Sequence, residues 1–475
     1  EQFLKSHCAL MVPKTSDGRV MFAVPWYNRL VYEGLKERGR MIRNAPHLVR
    51  SQKFIIPVYS WWDGVKYTTG LKFYDLLAGK LRLGPSRWIS KKETVQALPG
   101  VNKNGLRGGI LYYDGQFDDS RMLISLARTG TAYGGTVLNY MKIKKILKEN
   151  GRIAGLEITD QERQTDYTIR VKSLLNATGV FANEIIQLDE PGKRNLIKPS
   201  QGVHIVLGEQ FLKSHCALMV PKTSDGRVMF AVPWYNRLVV GTTDTLVEQI
   251  SLEPRALEEE IKFILDTAGQ YLEKKPTRQD ILCIFAGLRP LVAPDEPEKS
   301  TKDISRIHRI EVSSSGLVTV IGGKWTSYRK MAEDTVNKAI KTGNLPEKKC
   351  VTAGLSIYGY QVYRDIVYQP EHAYGTDFVQ LENIENESED YSGFLSEKLK
   401  IKKCQIIWAV REEMARTVED ALARRTRALF LDTRESIRMA PETAELMAKE
   451  LEYGKDWIKK QIEHFISLAR GYLVE

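Results

Sequence analysis

Leu317-Val-Thr-Val-Ile-Gly-Gly-Lys-Trp-Thr-Ser-Tyr-Arg329 decides the fold. Its opening run of apolar and β-branched residues predicts a buried strand. Gly322-Gly323 then let the backbone turn sharply and approach a ligand. Thr326 or Ser327 is expected to cap a helix running from Ser327 to Lys341. The first turn of such a helix aims free N–H groups and a positive dipole end back at the glycines, which suits an anion. Close packing of strand on helix explains the same two glycines without any ligand. The junction alone therefore assigns no site.

The chain around it has 475 residues, enough for two or three structural units. An apolar fraction of 43% is ordinary for a globular protein, and no apolar run is long enough to predict a membrane-spanning helix. No basic region followed by an apolar run opens the chain, so a signal peptide is not expected. The net charge of +11 suits an anionic substrate or an anionic membrane face. Its basic residues are scattered rather than run together, which argues against nucleic acid. Five cysteines, an odd number with no close pair, predict reduced thiols and a cytosolic setting.

One feature is unusual. Glu1 to Val31 is identical to Glu209 to Val239, and the copies part at Tyr32 against Val240. Structural repeats drift and come in tandem series, so one perfect copy reads as recombination or an assembly error. In the second copy, Arg227–Val232 and Arg237–Thr243 predict a hairpin around Trp234-Tyr-Asn236, next to a strand at Gly202–Gly208. The first copy carries the same signals without partner strands, and is expected to form a loosely attached hairpin or to be poorly ordered.

Further along, Tyr32–Asn44 predicts a helix with a basic face of Lys36, Arg38, Arg40 and Arg43. Ile110–Tyr113 predicts a strand ending at Asp114-Gly115, with Asp119 or Ser120 capping a helix to Thr129. Asn150-Gly151 marks a tight hairpin inside a three-stranded meander over Thr136–Val171. Ser173–Gly179 predicts a buried strand ending at a glycine. Glu371–Asp390 is acidic and expected as loop. Cys404–Tyr472 is expected as a separate helical unit, with Trp408, Val410, Met414 and Val418 on one apolar stripe.

These segments carry a resemblance. Asn44-Ala-Pro-His-Leu-Val49, Tyr113-Asp-Gly-Gln-Phe-Asp-Asp119, Asn176-Ala-Thr-Gly179, Pro199-Ser-Gln-Gly-Val-His204, Gly241-Thr-Thr-Asp244, Gly287-Leu-Arg-Pro290 and Gly322-Gly-Lys-Trp-Thr-Ser-Tyr-Arg329 stand in one order. From residue 32 to about 475, that order resembles the FAD-dependent glycerol-3-phosphate dehydrogenases. Ala409-Val-Arg-Glu-Glu413 through Arg424-Arg-Thr426 is similar to the helical cap of that family. The resemblance implies an α/β flavoprotein with mixed α+β character, of the two-lobed FAD-binding, amino-acid-oxidase type. Its units are expected at 1–31 (the copy), 32–345 (the oxidoreductase core) and 346–475 (the helical cap).

The family opens with strand, Gly-x-Gly-x-x-Gly and helix, which seats the FAD pyrophosphate. That spacing occurs nowhere in this chain, and the family's Arg-Tyr substrate contact is missing. The copied segment stands in their place, leaving an incomplete N-terminal βαβ unit.

The resemblance also implies roles. His204 is expected to accept the carbinol proton as hydride passes to flavin N5, and Lys324 to balance charge at the flavin–substrate interface. Arg289, with Arg306 as a similar candidate, is expected at the substrate phosphate, and Thr242 and Thr243 of Gly241-Thr-Thr-Asp244 either stabilise a turn or, by the resemblance, lie near the substrate pocket. Thr178, Gly179, Gly322, Gly323 and Thr326 are the expected FAD contacts. No metal is expected. The reading is oxidation of sn-glycerol 3-phosphate to dihydroxyacetone phosphate, with electrons passing to quinone or another acceptor. The expected setting is cytoplasmic or peripheral on the inner membrane face, with a homodimer among the expected assemblies. Two alternatives stay open: an inactive chimeric product without the pyrophosphate site, and another amino-acid-oxidase-type flavoenzyme.

Overall fold

The computed structural model describes residues 25–224, 226–293, 308–363 and 369–474. The chain runs through α1 (Pro25–Asn44), β1 (Val49–Val58), α2 (Trp61–Ala78), β2 (Arg87–Ser90), α3 (Lys91–Ala97), β3 (Gly108–Phe117) and α4 (Asp119–Ala132). Strands β4 (Met141–Glu149), β5 (Arg152–Asp160) and β6 (Thr165–Arg170) form the expected meander, turning at Asn150-Gly151. Both turn residues have positive φ, as that sequence pair predicts. Next come β7 (Leu174–Asn176), α5 (Ala182–Asp189), β8 (Ile197–Gly208), β9 (Ala217–Val220), β10 (Met229–Trp234), β11 (Arg237–Gly241) and β12 (Thr245–Leu246). They lead to α6 (Glu258–Tyr271) and β13 (Cys283–Val292). Strands β14 (Arg309–Val312) and β15 (Leu317–Ile321) precede α7 (Tyr328–Thr342). The C-terminal part holds α8 (Phe378–Glu387), β16 (Phe394–Ser396), β17 (Ile401–Lys402), α9 (Lys403–Glu412), α10 (Ala428–Leu431), α11 (Thr433–Leu451) and α12 (Lys455–Arg470).

Strand β8 is the spine of the large mixed sheet. It pairs with β11 and β12 along one edge and with β13 along ten positions of the other. Its side chains alternate between two cores, as the pleat requires. Val203, Ile205 and Leu207 join the cluster that Ile261, Ile264 and Ala268 of α6 complete. Val206 faces the other way, into the cluster built by Ile406, Ile407, Leu429 and Met439 of the C-terminal helices. A smaller sheet carries the opening motif: β15 pairs antiparallel with β14 and parallel with β7.

Several expectations need correction. Helix α1 begins at Pro25, inside the copied segment, and runs across residues 31 and 32. The described part of that copy is thus helical rather than a hairpin; residues 1–24 lie outside the described residues. In the second copy the same heptapeptide, Pro233–Val239, belongs to the β10–β11 hairpin, held by β9 on one side and β8 on the other. Among the described residues no strand pairs with 25–31, so local helix formation wins there.

The basic face of α1 is also only partly exposed. Arg38 is buried, donating to Asp114 at 2.9 Å and to the Tyr74 hydroxyl, and Arg40 pairs with Glu37. Strand β3 continues through Asp114-Gly115 because β1 pairs with it as far as Phe117. The cap of α4 is Asp118, whose carboxylate accepts from the N–H groups of Ser120 and Arg121. The acidic stretch 371–390 is mostly helical; Leu381 and Ile384, three apart on α8, are buried. The apolar stripe breaks, since α9 ends at Glu412 and Met414 sits in a left-handed turn.

The C-terminal part is locked to the core by buried charges. Arg121 of α4 makes two hydrogen bonds to Glu413, at 2.7 and 2.8 Å, with both side chains out of solvent. Trp408 Nε1 donates to the same carboxylate, and the Arg121 guanidinium lies over the Tyr374 ring. Burial alone would raise the Glu413 carboxyl pKa, but the charge and hydrogen bonds of Arg121 and the Trp408 N–H bring it below the ordinary value. Glu413→Ala leaves Arg121 buried without its partner. It should lower the unfolding free energy by about 3–5 kcal/mol, read by urea titration.

Nearby His47 is fully buried, with Nε2 3.1 Å from the Tyr358 carbonyl and its pKa pushed down to about 4 by desolvation. An unfolded imidazole takes up its proton near the ordinary 6.5, while the folded one stays neutral down to about 4. The unfolded state therefore holds the extra proton between those values. Its share of stability is complete above pH 6.5 and is lost as pH falls toward 4. His47→Gln should flatten that part of the profile, measured as unfolding free energy at pH 7 and pH 5.

Candidate active site

Two groups of expected residues lie at different places on the fold. The first gathers around β8. His204 stands opposite Phe285 on β13 and opposite Gly241 on β11. Its imidazole stacks on the Phe285 ring, 5.2 Å between centroids and 14° between planes. On the other side, a Cβ at Gly241 would come 2.4 Å from His204 Cδ2, so the ring occupies space that only glycine leaves. Desolvation, and then the charge of Arg289, push the His204 pKa down to about 4. The ring is therefore neutral at physiological pH.

Arg289 uses a similar gap. A Cβ at Gly202 would stand 2.2 Å from Arg289 Nη2. The guanidinium donates to Asp244 Oδ1 at 3.2 Å, Thr242 Oγ1 at 3.0 Å, the Thr243 carbonyl at 3.1 Å and the Gln201 carbonyl at 3.4 Å. Asp244 also accepts from the Ser200 hydroxyl. Thr243 is buried: its hydroxyl accepts from the Val203 N–H at 2.9 Å and donates to Glu260 at 2.7 Å. Thr243 thus ties β8 to α6, and its hydroxyl is committed to that link. Arg306 lies outside the described residues.

The second group surrounds the opening motif. Gly322 and Gly323 have φ of +71° and +80°, so the turn needs glycine. At Gly323 there is a packing reason as well, since a Cβ would meet Met331 Sδ at 2.5 Å. Neither Thr326 nor Ser327 caps α7 through its side chain; Trp325–Ser327 form a short 3-10 turn, and the Ser327 hydroxyl donates to the Lys324 carbonyl. Lys324, Thr326 and Ser327 line a cleft of about 270 Å³ between α1 and α7. Lys36, Arg40 and Lys330 add positive charge there, and Glu33, Glu37 and Glu333 add negative charge. Arg329 closes the floor, donating to Glu37 from Nε and Nη2 and to Glu333 from Nη1.

Gly179 follows β7, the parallel neighbour of β15. Its φ is +61°, and no atom lies within 4 Å of where a Cβ would be. Thr178 is exposed and donates its hydroxyl to Asn176 Oδ1. The ends of β7 and β15 thus present a glycine and a glycine pair side by side, the crevice position where parallel strands bind ligands. The two groups meet through Ile321, which packs with Ile197 of β8 and Val292 of β13. The resemblance put Gly241-Thr-Thr-Asp244 near the substrate pocket, and Gly241 and Asp244 do lie beside His204 and Arg289; sequence reasoning missed Phe285. The signal was the strand alternation, which puts Phe285 opposite His204 once β8 and β13 are paired.

Comparison with known proteins agrees with this architecture. The family profile "FAD dependent oxidoreductase" matches residues 11–329, and the profile "C-terminal domain of alpha-glycerophosphate oxidase" matches residues 317–457. A mitochondrial glycerol-3-phosphate dehydrogenase of Arabidopsis thaliana is 36% identical over 471 residues, covering 92% of this chain and 74% of the relative. The mitochondrial glycerol-3-phosphate dehydrogenase of Homo sapiens is 34% identical over 472 residues, and the chain spans 64% of its length. The crystal structure of a Bacillus halodurans glycerol-3-phosphate dehydrogenase complexed with FAD shares the fold, with a TM-score of 0.75 at 24% identity over 92% of this chain and 85% of that one. An α/β core with glycines at the ends of parallel strands, a helical C-terminal part, and relatives of this identity lead to one conclusion: the chain belongs to the FAD-dependent glycerol-3-phosphate dehydrogenase family.

Proposed function

We propose that this chain oxidises sn-glycerol 3-phosphate to dihydroxyacetone phosphate with FAD, passing electrons to a quinone-type acceptor. The observation that carries the reading is a neutral imidazole, His204, fixed beside the Arg289 guanidinium on one sheet face. The flavin end of FAD would be held at the glycine crevice: Gly179 leaves open space beside the Gly322-Gly323 turn, and Lys324 and Thr326, just after that turn, line the neighbouring cleft. The pyrophosphate end has no Gly-x-Gly-x-x-Gly in this sequence to receive it. When bound, FAD supplies the hydride acceptor.

His204 takes the hydroxyl proton on this reading. At a pKa of about 4 it is a weak base in the free protein. Two causes hold it down: desolvation first, then the charge of Arg289. A phosphate dianion arriving at Arg289 offsets the second cause. The substrate thereby strengthens the base that will act on it. Arg289 presents a fork of donors suited to phosphate, already oriented by four acceptors. Lys324, which lines the cleft, would supply positive charge to balance the negative charge of a reduced flavin.

His204→Asn should cut kcat by ~10²–10⁴ with little change in flavin content. Arg289→Ala should cost roughly 10–100-fold in kcat/KM, the worth of charge-assisted hydrogen bonds. Both are read with FAD, glycerol 3-phosphate and a dye acceptor. A purified wild-type chain that retains no flavin absorbance and forms no dihydroxyacetone phosphate would sink the reading.

The same proposal includes peripheral attachment to an anionic membrane. Among the described residues no helix is long and apolar enough to cross a membrane. Helix α2, however, exposes Trp62 (85%) and Trp61 (59%), with Val65 and Leu76 also in solvent. Trp61 stacks on Trp88, and Arg107 lies over its ring. Residues 61–107 hold nine Lys and Arg against three Asp and Glu, a net +6 out of the chain's +11. Exposed tryptophan on a segment of net positive charge suits an interface of anionic headgroups over acyl chains.

The protein should float with phosphatidylglycerol vesicles and not with phosphatidylcholine. Trp62→Ala should weaken binding roughly tenfold, from the apolar area lost. Equal flotation of the variant would remove this face from the proposal.

A further inference from the structure

The ring that stacks on His204 is itself held by rings from the C-terminal helices. Phe430 of α10 meets Phe285 edge-on, 5.1 Å between centroids at 86°, and Tyr472 meets Phe430 edge-on, 5.6 Å at 87°. Arg427 caps the row, its guanidinium 4.5 Å from the Phe430 ring centroid. The backbone is clamped as well. The Ile284 N–H donates to the Tyr472 carbonyl at 2.9 Å, and the Thr433 N–H donates to the Leu282 carbonyl at 3.1 Å. The strand that carries both Phe285 and Arg289 is thus fastened, just before Phe285, by the C-terminal part of the chain.

We propose that Phe285 and Phe430 are positioning residues for His204. The row of rings fixes the plane of the imidazole and keeps water from one of its faces, so the C-terminal helices set how His204 takes a proton. This rests on the reading of His204 as the proton acceptor. Three observations support it. The stack is nearly parallel, so rotation of the imidazole about its Cβ–Cγ bond would drive it into the Phe285 face. The opposite side is bounded by Gly241, where a Cβ would come 2.4 Å from His204 Cδ2, so the ring fills the space that glycine leaves toward β11. Edge-to-face packing by Phe430 and then Tyr472 denies Phe285 the room to swing away. Leucine at either position would keep apolar bulk and lose the flat wall.

The charged and titratable groups packed around the row come from several elements; Asp118 and Asp119 pair with Arg427, and Glu253 and Arg255 contact Tyr472. Arg289 and the Cys283 thiol come from β13, and Asp244 pairs with Arg289. Glu260 from α6 sits behind Thr243, and Arg427 and Tyr472 lie beyond Phe430. Of these, Arg289 acts on the imidazole, and desolvation acts more strongly. Opening the wall admits water and relieves the larger cause.

The test uses flavin-loaded, full-length protein with isotope-labelled histidine, His204 being assigned by the signal missing in His204→Asn. Phe285→Leu should raise the His204 titration midpoint from about 4 toward the ordinary 6.5 and carry the acid limb of the kcat/KM profile with it. It should lower kcat by up to about tenfold, the worth of one aromatic pair, with KM for glycerol 3-phosphate within about twofold. Phe285→Tyr keeps the ring and should restore the wild-type midpoint. Phe430→Leu, one ring further out, should shift both readings the same way by less, and decides the matter if Phe285→Leu does not fold. An unmoved midpoint in a folded Leu variant overturns the proposal. If the wild type turns over no glycerol 3-phosphate, the functional reading fails, while the NMR midpoint still tests the wall.

Discussion

Two absent methyl groups shape the candidate site. Glycine at 202 leaves the space that the Arg289 guanidinium fills, and glycine at 241 leaves the space that the His204 imidazole fills. Both depend on the register of β8 against β11 and β13. A slip of one residue would carry His204 to the opposite face, among Ile261 and Ile264 of α6. The buried run Val203, Ile205 and Leu207 prevents that slip, because each would have to leave a packed core. The hydrophobic alternation of one strand thus sets the position of the two polar groups on which the proposed chemistry rests.

Residues far apart in the chain share this task. Arg121 and Glu413, 292 positions apart, form a buried pair, and Arg128 reaches Asp377 and the faces of Tyr358 and Trp408. Residues soon after 345 pack on the core rather than on the C-terminal helices: the Ile357 N–H donates to the Asn44 carbonyl, and Arg329 holds α1 to α7 through Glu37. Thr352 joins the same group, since its hydroxyl accepts from Arg329 Nη1 and its carbonyl from Asn44 Nδ2.

Local chemistry is what the sequence made legible. The strand–Gly–Gly–helix motif, the Asn150-Gly151 hairpin and the glycine after β7 all follow from backbone preferences at single residues, and each stands where the pattern puts it. Legibility stops where partners decide. Pro-Trp-Tyr-Asn-Arg-Leu-Val is helical at 25–31 and part of a hairpin at 233–239, so these seven residues do not specify their own structure. Arg38 looked like a surface charge until Asp114 and Tyr74 closed over it. The stretch 371–390 looked like loop because its charges outnumber its apolar residues, yet Leu381 and Ile384 suffice to seat a short helix against the core. Phe285 carried no signal of its own, since a phenylalanine in a buried strand is ordinary until its cross-strand neighbour is known to be a histidine.

The state of Arg289 bears on how strongly such a site can hold an anion. Its donors already serve Asp244, Thr242, Thr243 and Gln201. An anion binding there must share those donors, and it must sit near the Asp244 carboxylate. Both effects weaken ground-state binding relative to an uncommitted guanidinium. They also hold the fork still, so little reorganisation is left for the moment when charge moves. Gains in orientation at the expense of affinity are the direction in which catalysis benefits, because uniform tight binding lowers KM without raising kcat. The same carboxylate that tempers the attraction keeps the cation from being bare beside the imidazole. On the proposed reading, Asp244 trades strength of anion binding for a fixed orientation of the Arg289 fork.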